Sequence, residues 1–176
     1  LANRLAASLL NNMAVHRKEA PAFEAVLRTP FGCVGVAVEG DSLSELAFLP
    51  PQTTPVRPRG ALSREACRQI MAFAAEPGFT FDLPLNERGT IFQHRVWAAI
   101  SAIPRGCTRG YGDIARDIGS AARAVGQACG ANHFPLVIPC HRVVAAAGIG
   151  GFAHHDGGFH LQVKRWLLTH EGHALR

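Results

Sequence analysis

Residues Pro50 to Gly60 carry four prolines and two arginines and show no hydrophobic period. Proline lacks a backbone N–H and clashes in a helix interior, so neither a helix nor a central strand can run through this stretch. It reads as a loop, and whatever precedes it must find its partners among close neighbours. Phe23 to Leu27, Phe31 to Val38 and Leu43 to Leu49 are apolar segments punctuated by Thr29-Pro30 and Gly40-Asp41, the pattern of a three-stranded antiparallel meander. Beyond the loop, Ser63 opens a helix to about Ala75, closed by Pro77 and Gly78. Residues 1–88 are therefore expected to form an α/β lobe of a small antiparallel sheet plus a helix, with no obvious chemistry. Leu1 to Ala14 is apolar enough to suggest a signal-peptide core. Arg4, Asn11 and Asn12 interrupt it and no A-x-A site follows cleanly, so it reads as an Ala/Leu-rich helix or a frayed terminus.

A second, mainly α lobe is expected over residues 89–176. Thr90 is a candidate N-cap, and Phe92, Val96, Ile100 and Ile103 make one buried helical stripe ending at Pro104. A Gly/Arg turn from Arg105 to Gly110 leads to Tyr111, then a short helix from Asp113 to Ile118, a tight turn at Gly119-Ser120, and a helix from Ala121 to about Ala131. Two short helices joined this way suggest a helix-turn-helix. In the second helix Ala122, Val125 and Cys129 mark the inward face, while Arg123 and Gln127 share the outward one. An Ala-rich packing helix would carry the same pattern.

Charge separates the halves. The chain of 176 residues is 48% hydrophobic and 18% charged, the balance of a globular protein, with net charge +5. Residues 1–87 hold 8 cations and 9 anions, whereas residues 88–176 hold 10 cations and 4 anions. The basic excess thus belongs to the second lobe, which suggests that this lobe meets a polyanion. All cations but Lys18 and Lys164 are arginines, a bias that fits phosphate recognition and equally a GC-rich genome. The five cysteines form no close pair or dense framework, the usage of a cytoplasmic protein with reduced thiols. No apolar run approaches the ~20 residues of a membrane span.

The extended, apolar run Pro135-Leu136-Val137-Ile138-Pro139 delivers Cys140, followed at once by His141-Arg142-Val143-Val144. A thiolate is the reactive form of cysteine, and a thiol with a pKa near ~8.5 is only slightly ionised at neutral pH, so a nucleophilic Cys140 needs a base nearby. Adjacent side chains on an extended segment diverge, so His141 would act through a water, with Glu171 as its orienting acceptor. A buried inert thiol beside a structural histidine is the alternative.

Ile138-Pro139-Cys140-His141-Arg142-Val143-Val144, then Gly148, then Trp166-Leu167-Leu168-Thr169-His170-Glu171-Gly172, resembles the active-site signature of the O6-alkylguanine-DNA alkyltransferases. Phe92-Gln93-x-x-Val96-Trp97, Tyr111 and Ala121-Ala122-Arg123-Ala124-Val125-Gly126 are similar to the same family's helices, in the same order. The resemblance implies a single-turnover repair protein in which Cys140 takes an alkyl group from O6 of guanine, or from O4 of thymine, in a flipped-out nucleotide. His141 with a water would be the base and Glu171 would orient it. Tyr111 would donate to the departing guanine and crowd the 3′ phosphate, with Lys164 supporting it. Asn132 would link the helix-turn-helix to the cysteine segment, and the carbonyls of Cys140 and Val143 would read the guanine amino group. Pro135, Val143 and Val144 would line the substrate pocket. Arg123 would fill the vacated stack, and the second helix, through Ala121, Ala122, Gly126 and Gln127, would enter a minor groove only ~6 Å wide.

The same resemblance implies no cofactor, double-stranded DNA containing O6-alkylguanine as the partner, no membrane association, and a monomer. Gly151 to His160 looks longer than the family's active-site loop, and the Gly119-Ser120 turn looks shorter than in some relatives. His154, His155 and His160 have no metal-binding frame and read as a surface loop. Two other functions fit parts of the pattern: a DNA-binding lesion marker or regulator without transfer, which Cys140 argues against, and a cysteine hydrolase, for which no oxyanion hole is signalled.

Overall fold

A computed structural model describes residues 22–174 apart from 154 and 156. The Leu1 to Ala14 segment lies outside the described residues. The sheet has strands β1 (Ala25–Thr29), β2 (Gly32–Glu39) and β3 (Ser42–Leu49), antiparallel in the order β1-β2-β3. Its register pairs Ala25 with Val36 and Val36 with Leu46, with an irregularity at Ala37/Val38. The meander is thus as expected, except that β1 starts two residues later and runs on through Thr29.

Helix α1 (Ala61–Ala75) lies on β1 and β2. The carboxylate of Glu24 accepts hydrogen bonds from the Gly60 N–H and, at 2.6 Å, from the Ser63 hydroxyl, which clamps the first turn of α1 to the strand entry. These bonds, Ser63 first, hold the Glu24 carboxyl below its ordinary range. Buried Gln69 of α1 donates to the Asp82 carbonyl at 2.7 Å and accepts from its N–H at 2.8 Å. Past it the chain runs back along the sheet, the Leu43 N–H donating to Pro84 and the Asn86 N–H to Leu43.

Helix α2 (Ile91–Ser101) starts at Thr90, whose hydroxyl accepts from the Gln93 N–H while the Gln93 side chain accepts from the Thr90 N–H, a reciprocal capping box. Helices α3 (Tyr111–Asp117) and α4 (Ala122–Gly130) form the helix-turn-helix, with Gly119 at φ +66° in the turn, a conformation that suits glycine. Helix α3 begins at Tyr111 and not at Asp113 because the Asp113 carboxylate accepts from the Gly110 N–H and caps the helix one turn earlier. Trp97 of α2 donates through Nε1 to the Ala128 carbonyl of α4 at 2.8 Å. Helix α5 (Gly158–His170) completes the second lobe.

The segment expected to be an extended strand into Cys140 is a turn. Leu136 has φ +79°, the Ile138 N–H donates back to the Phe134 carbonyl, and Cys140–Arg142 form a single 3₁₀ turn. Pro135 and Pro139 lack the N–H groups a strand would offer, and Asn132 supplies the missing partners. Its Oδ1 accepts from the Phe134 N–H and its Nδ2 donates to the Ile138 carbonyl, both at 2.9 Å. Only after Arg142 does the chain extend, as β5 (Val143–Val144), parallel to β4 (Arg109–Gly110). No pattern in the sequence signals this short pair.

One apolar core includes residues from both sides of position 88. Phe31 meets Trp166 at 4.9 Å between ring centroids, Phe48 meets Phe152 at 5.4 Å, and His170 sits edge-on to Phe73 while its Nε2 lies 2.8 Å from the Phe73 carbonyl. Among the described residues no helix is long and apolar enough to cross a membrane.

Candidate active site

Cys140 is 5% exposed and sits in the wall of a cleft of about 470 Å³ that opens beside α4. The cleft is also lined by Tyr111, Arg123, Gln127, Cys129, Gly151 and His155. The Asn132 amide donates to Cys140 Sγ at 3.1 Å, so one side chain both shapes the turn and touches the sulfur. The neighbouring Cys129 thiol, first, and burial push the Cys140 thiol well above its ordinary pKa, against smaller downward pulls from Asn132 and Lys164. The resting sulfur is therefore a thiol, which can act as a nucleophile only after losing its proton.

His141 is buried, with Nε2 placed 3.0 Å from Glu171 Oε1. Burial lowers its pKa, and the neighbouring Glu171 only partly offsets this, so the imidazole is neutral near pH 7. With its proton on Nε2 facing the carboxylate, Nδ1 is the basic atom, and it has no hydrogen-bond partner among the described residues. Burial pushes the Glu171 carboxyl upward, but the adjacent His141 and the hydrogen bonds from Arg142 outweigh it and hold the pKa at about 2. Arg142 grips Glu171 with both arms, Nε to Oε2 at 2.9 Å and Nη2 to Oε1 at 2.8 Å, and its Nη1 donates to the Ile103 carbonyl at 2.6 Å. The sequence shows Arg142 within the cysteine segment but gives it no such part. Its place two residues after the thiol is the available signal.

Lys164 is fully buried, donating to the Val143 carbonyl at 2.7 Å and the Gly151 carbonyl at 2.9 Å. Burial lowers its pKa to about 8. The Tyr111 hydroxyl donates to the same Gly151 carbonyl at 3.2 Å, so Lys164 and Tyr111 meet through that shared acceptor. The ammonium stands 5.9 Å from the centroids of the Tyr111 and Phe152 rings. Gly150 closes the turn below Tyr111 at φ +68°, where a Cβ would stand 3.0 Å from the Ala145 nitrogen and 3.2 Å from the Tyr111 ring.

Ala121, Ala122, Arg123 and Gln127 are exposed on the surface of α4, and Gly126 faces the Tyr111 ring. Pro135, Val143 and Val144, expected to line the pocket, are not among the residues of the cleft wall. The turn at 135–138 takes Pro135 away from it, and the Val143 side chain is fully buried, leaving its carbonyl to Lys164. In the long loop, the His155 and His160 rings stack at 3.8 Å, and burial with help from His155 lowers the His160 pKa to about 4. His154 lies outside the described residues, among which no group of three or more His, Cys, Asp or Glu side chains is placed to hold a metal.

A buried thiol with a His–Glu pair behind it, opening onto the second helix of a helix-turn-helix, defines a DNA-binding-type fold with a cysteine set into its cleft wall. Residues 91–173 match the family profile described as 6-O-methylguanine DNA methyltransferase, DNA binding domain. A methylated-DNA–protein-cysteine methyltransferase of Mycobacterium tuberculosis is 43% identical over 150 residues, covering 81% of this chain and 88% of the relative. One from Methanosarcina acetivorans is 37% identical over 158 residues, 85% of this chain and 98% of that protein. The crystal structure of the Mycobacterium tuberculosis protein in complex with DNA superposes with a TM-score of 0.69 at 39% identity, covering 84% of this chain and 91% of that one. The chain belongs to the methylated-DNA–protein-cysteine methyltransferase family, the O6-alkylguanine-DNA alkyltransferases.

Proposed function

We infer that this protein repairs double-stranded DNA directly, moving an alkyl group from O6 of guanine irreversibly to Cys140, once per molecule. The observation that carries this reading is the Cys140 sulfur in the wall of a cleft beside α4, with the buried His141–Glu171–Arg142 array behind it. His141 Nδ1, through a water, takes the thiol proton, and Glu171 steadies the imidazolium that forms. The sulfur then attacks the alkyl carbon and displaces guanine O6 from it. A C–S bond forms, the C–O6 bond breaks, and its electron pair returns to the guanine, which Tyr111 protonates as it leaves. The thioether has no route back to a thiol, which makes the reaction stoichiometric.

Delivery requires that the nucleotide leave the stack, at a cost of a few kcal/mol that is least for damaged pairs. Exposed Arg123 on α4, at the rim of the cleft, supports a role in filling the gap with its planar cation. The small residues Ala121, Ala122 and Gly126 support entry of α4 into the minor groove, with Gln127 beside them. Residues 89–176 would thus bind DNA and carry the chemistry, and residues 1–88 would buttress them, in a protein that acts as a monomer. The five cysteines are all free, which suits a reducing cytoplasmic setting.

Incubation with an oligonucleotide carrying O6-methylguanine, followed by mass spectrometry of both molecules, tests the reading. One methyl per protein, mapped to Cys140, is expected. Repeated turnover, a free methyl product, or transfer surviving Cys140→Ala would overturn it. For Arg123→Ala, repair in duplex DNA is expected to slow by roughly 10-fold or more while reaction with free O6-alkylguanine base stays within about 2-fold, as losing a few kcal/mol of flipping assistance requires. Equal slowing on both substrates would remove Arg123 from the flipping step.

A further inference from the structure

The sequence placed Cys129 on the inward face of its helix. In the fold it occupies the last turn of α4 and lines the same cleft as Cys140, and Asn132, whose side chain donates to the Cys140 sulfur, donates its own N–H to the Cys129 carbonyl at 3.2 Å. Both thiols lie within electrostatic reach of the buried Lys164 ammonium. Cys33, by contrast, donates to the Pro51 and Thr53 carbonyls far along the chain, and Cys107 is exposed.

We propose that Cys129 is a resolving cysteine: when hydrogen peroxide oxidises Cys140, the two close a reversible disulfide that stores the nucleophile instead of losing it. In the first step the Cys140 thiolate, its proton taken by His141, attacks a peroxide oxygen. An S–O bond forms, the O–O bond breaks, and the departing hydroxide takes a proton and leaves as water. The sulfur is oxidised by two electrons to a sulfenic acid and the peroxide is reduced. In the second step the Cys129 sulfur attacks that sulfur, an S–S bond forms, the S–O bond breaks, and the hydroxide leaves with the thiol proton as a second water. The two thiols share one cleft wall and one bridging asparagine, and they form a disulfide when their sulfurs close to about 2.05 Å. Peroxide is far smaller than a guanine, so a cleft built for a flipped base admits it. A sulfenic acid with no neighbouring thiol proceeds to sulfinic acid, which thiols do not reduce. For a protein that acts once, a resolving thiol decides whether an oxidised copy is lost or returned to use.

The test uses the full chain. No Lys or Arg lies between Arg123 and Arg142, so trypsin releases both cysteines in one peptide, 124–142. After at least two equivalents of peroxide per protein, that peptide from the wild type is expected to be lighter by two hydrogens, the protein to remain monomeric on a non-reducing gel, and dithiothreitol to restore its methyl-acceptor capacity. In Cys129→Ala and Cys129→Ser the same peptide should instead gain the mass of two oxygens. Recovery, normalised to each variant's own untreated capacity, should fall at least about 5-fold below wild type. Sulfinic acid forming equally in wild type and variants, or a disulfide that joins Cys107 of two molecules, would overturn the proposal. The peptide mass is independent of alkyl transfer, so a failed repair assay and a failed resolving role are told apart. If neither variant folds, the wild-type peptide alone still decides.

Discussion

Replacing Glu171 with glutamine is expected to slow transfer to Cys140 by roughly 100-fold, the lower part of the range that a positioned general base supplies, and to destabilise the fold by about 3 kcal/mol. Two effects combine. Arg142 loses the carboxylate that it holds through two short bonds, leaving a largely buried guanidinium facing an amide that can accept with only one of its heavy atoms. His141 loses both its orienting acceptor and the charge that stabilises its protonated form. The stability figure follows from the carboxyl itself, held at about 2 against an ordinary 4.5, a difference worth about 3 kcal/mol. Because the folded-state pKa is depressed, that contribution is complete above pH 4.5 and is lost as the pH falls toward 2. Urea unfolding across that window should therefore show a slope in the wild type that the glutamine variant lacks. The rate profile offers a second readout. Glu171 raises the His141 pKa against burial, so the acid limb of the transfer rate, already below 6.5 in the wild type, should move lower still in the variant. Single-turnover kinetics between pH 5 and 8 measure it, and an unmoved limb would reduce Glu171 to a purely structural part.

Lys164→Met is expected to separate stability from activity in the opposite sense. The ammonium donates to two carbonyls, and orphaning them costs about 1–3 kcal/mol each, less at Gly151, which keeps the Tyr111 hydroxyl. The wild type, however, bears the burden of a buried charge: a lysine lowered from 10.5 to about 8 costs about 3 kcal/mol at neutral pH. The terms nearly cancel, so unfolding at pH 7 should change by about 2 kcal/mol or less, while transfer falls by roughly 10- to 100-fold. The rate suffers because the cation favours the Cys140 thiolate and ties the Val143 and Gly151 carbonyls into the cleft wall. Between pH 8 and 10.5 the unfolded chain holds a proton that the folded one releases, so wild-type stability should rise relative to Lys164→Met through that window. A variant with full transfer rate and lost stability would assign Lys164 to the core alone.

Several parts of the fold and site are legible in the chain itself. Thr90 and Gln93 signal their capping box by spacing alone, Gly119 marks the turn between the helices, and the strands of the meander are bounded by residues that favour turns. Cys140 stands out because proline and histidine flank it, and Glu171 because so few anions populate the second half. The segment preceding Cys140 misleads for a local reason. Its apolar side chains favour a strand, yet Pro135 and Pro139 cannot donate to one, and the competing partner, Asn132, supplies both a donor and an acceptor from a side chain whose propensity reveals neither. Pro135, Val143 and Val144 do not line the cleft either: Pro135 belongs to that turn, and Val143 and Val144 form the short strand β5, with the Val143 side chain buried.

What this sequence determined by itself is whatever depends on near neighbours along the chain: the sheet and helices, the helix-turn-helix, the basic second half, and the thiol with its adjacent imidazole. Only the tertiary structure decided which distant groups meet that thiol. Cys129 beside it in one cleft wall, Arg142 closing on Glu171, and one buried lysine holding Val143 and Gly151 bring together residues 11 to 29 positions apart. Periodicity and turn chemistry act over a few residues. Hydrogen bonds and charges in a desolvated interior act through space, and packing alone selects which of them form.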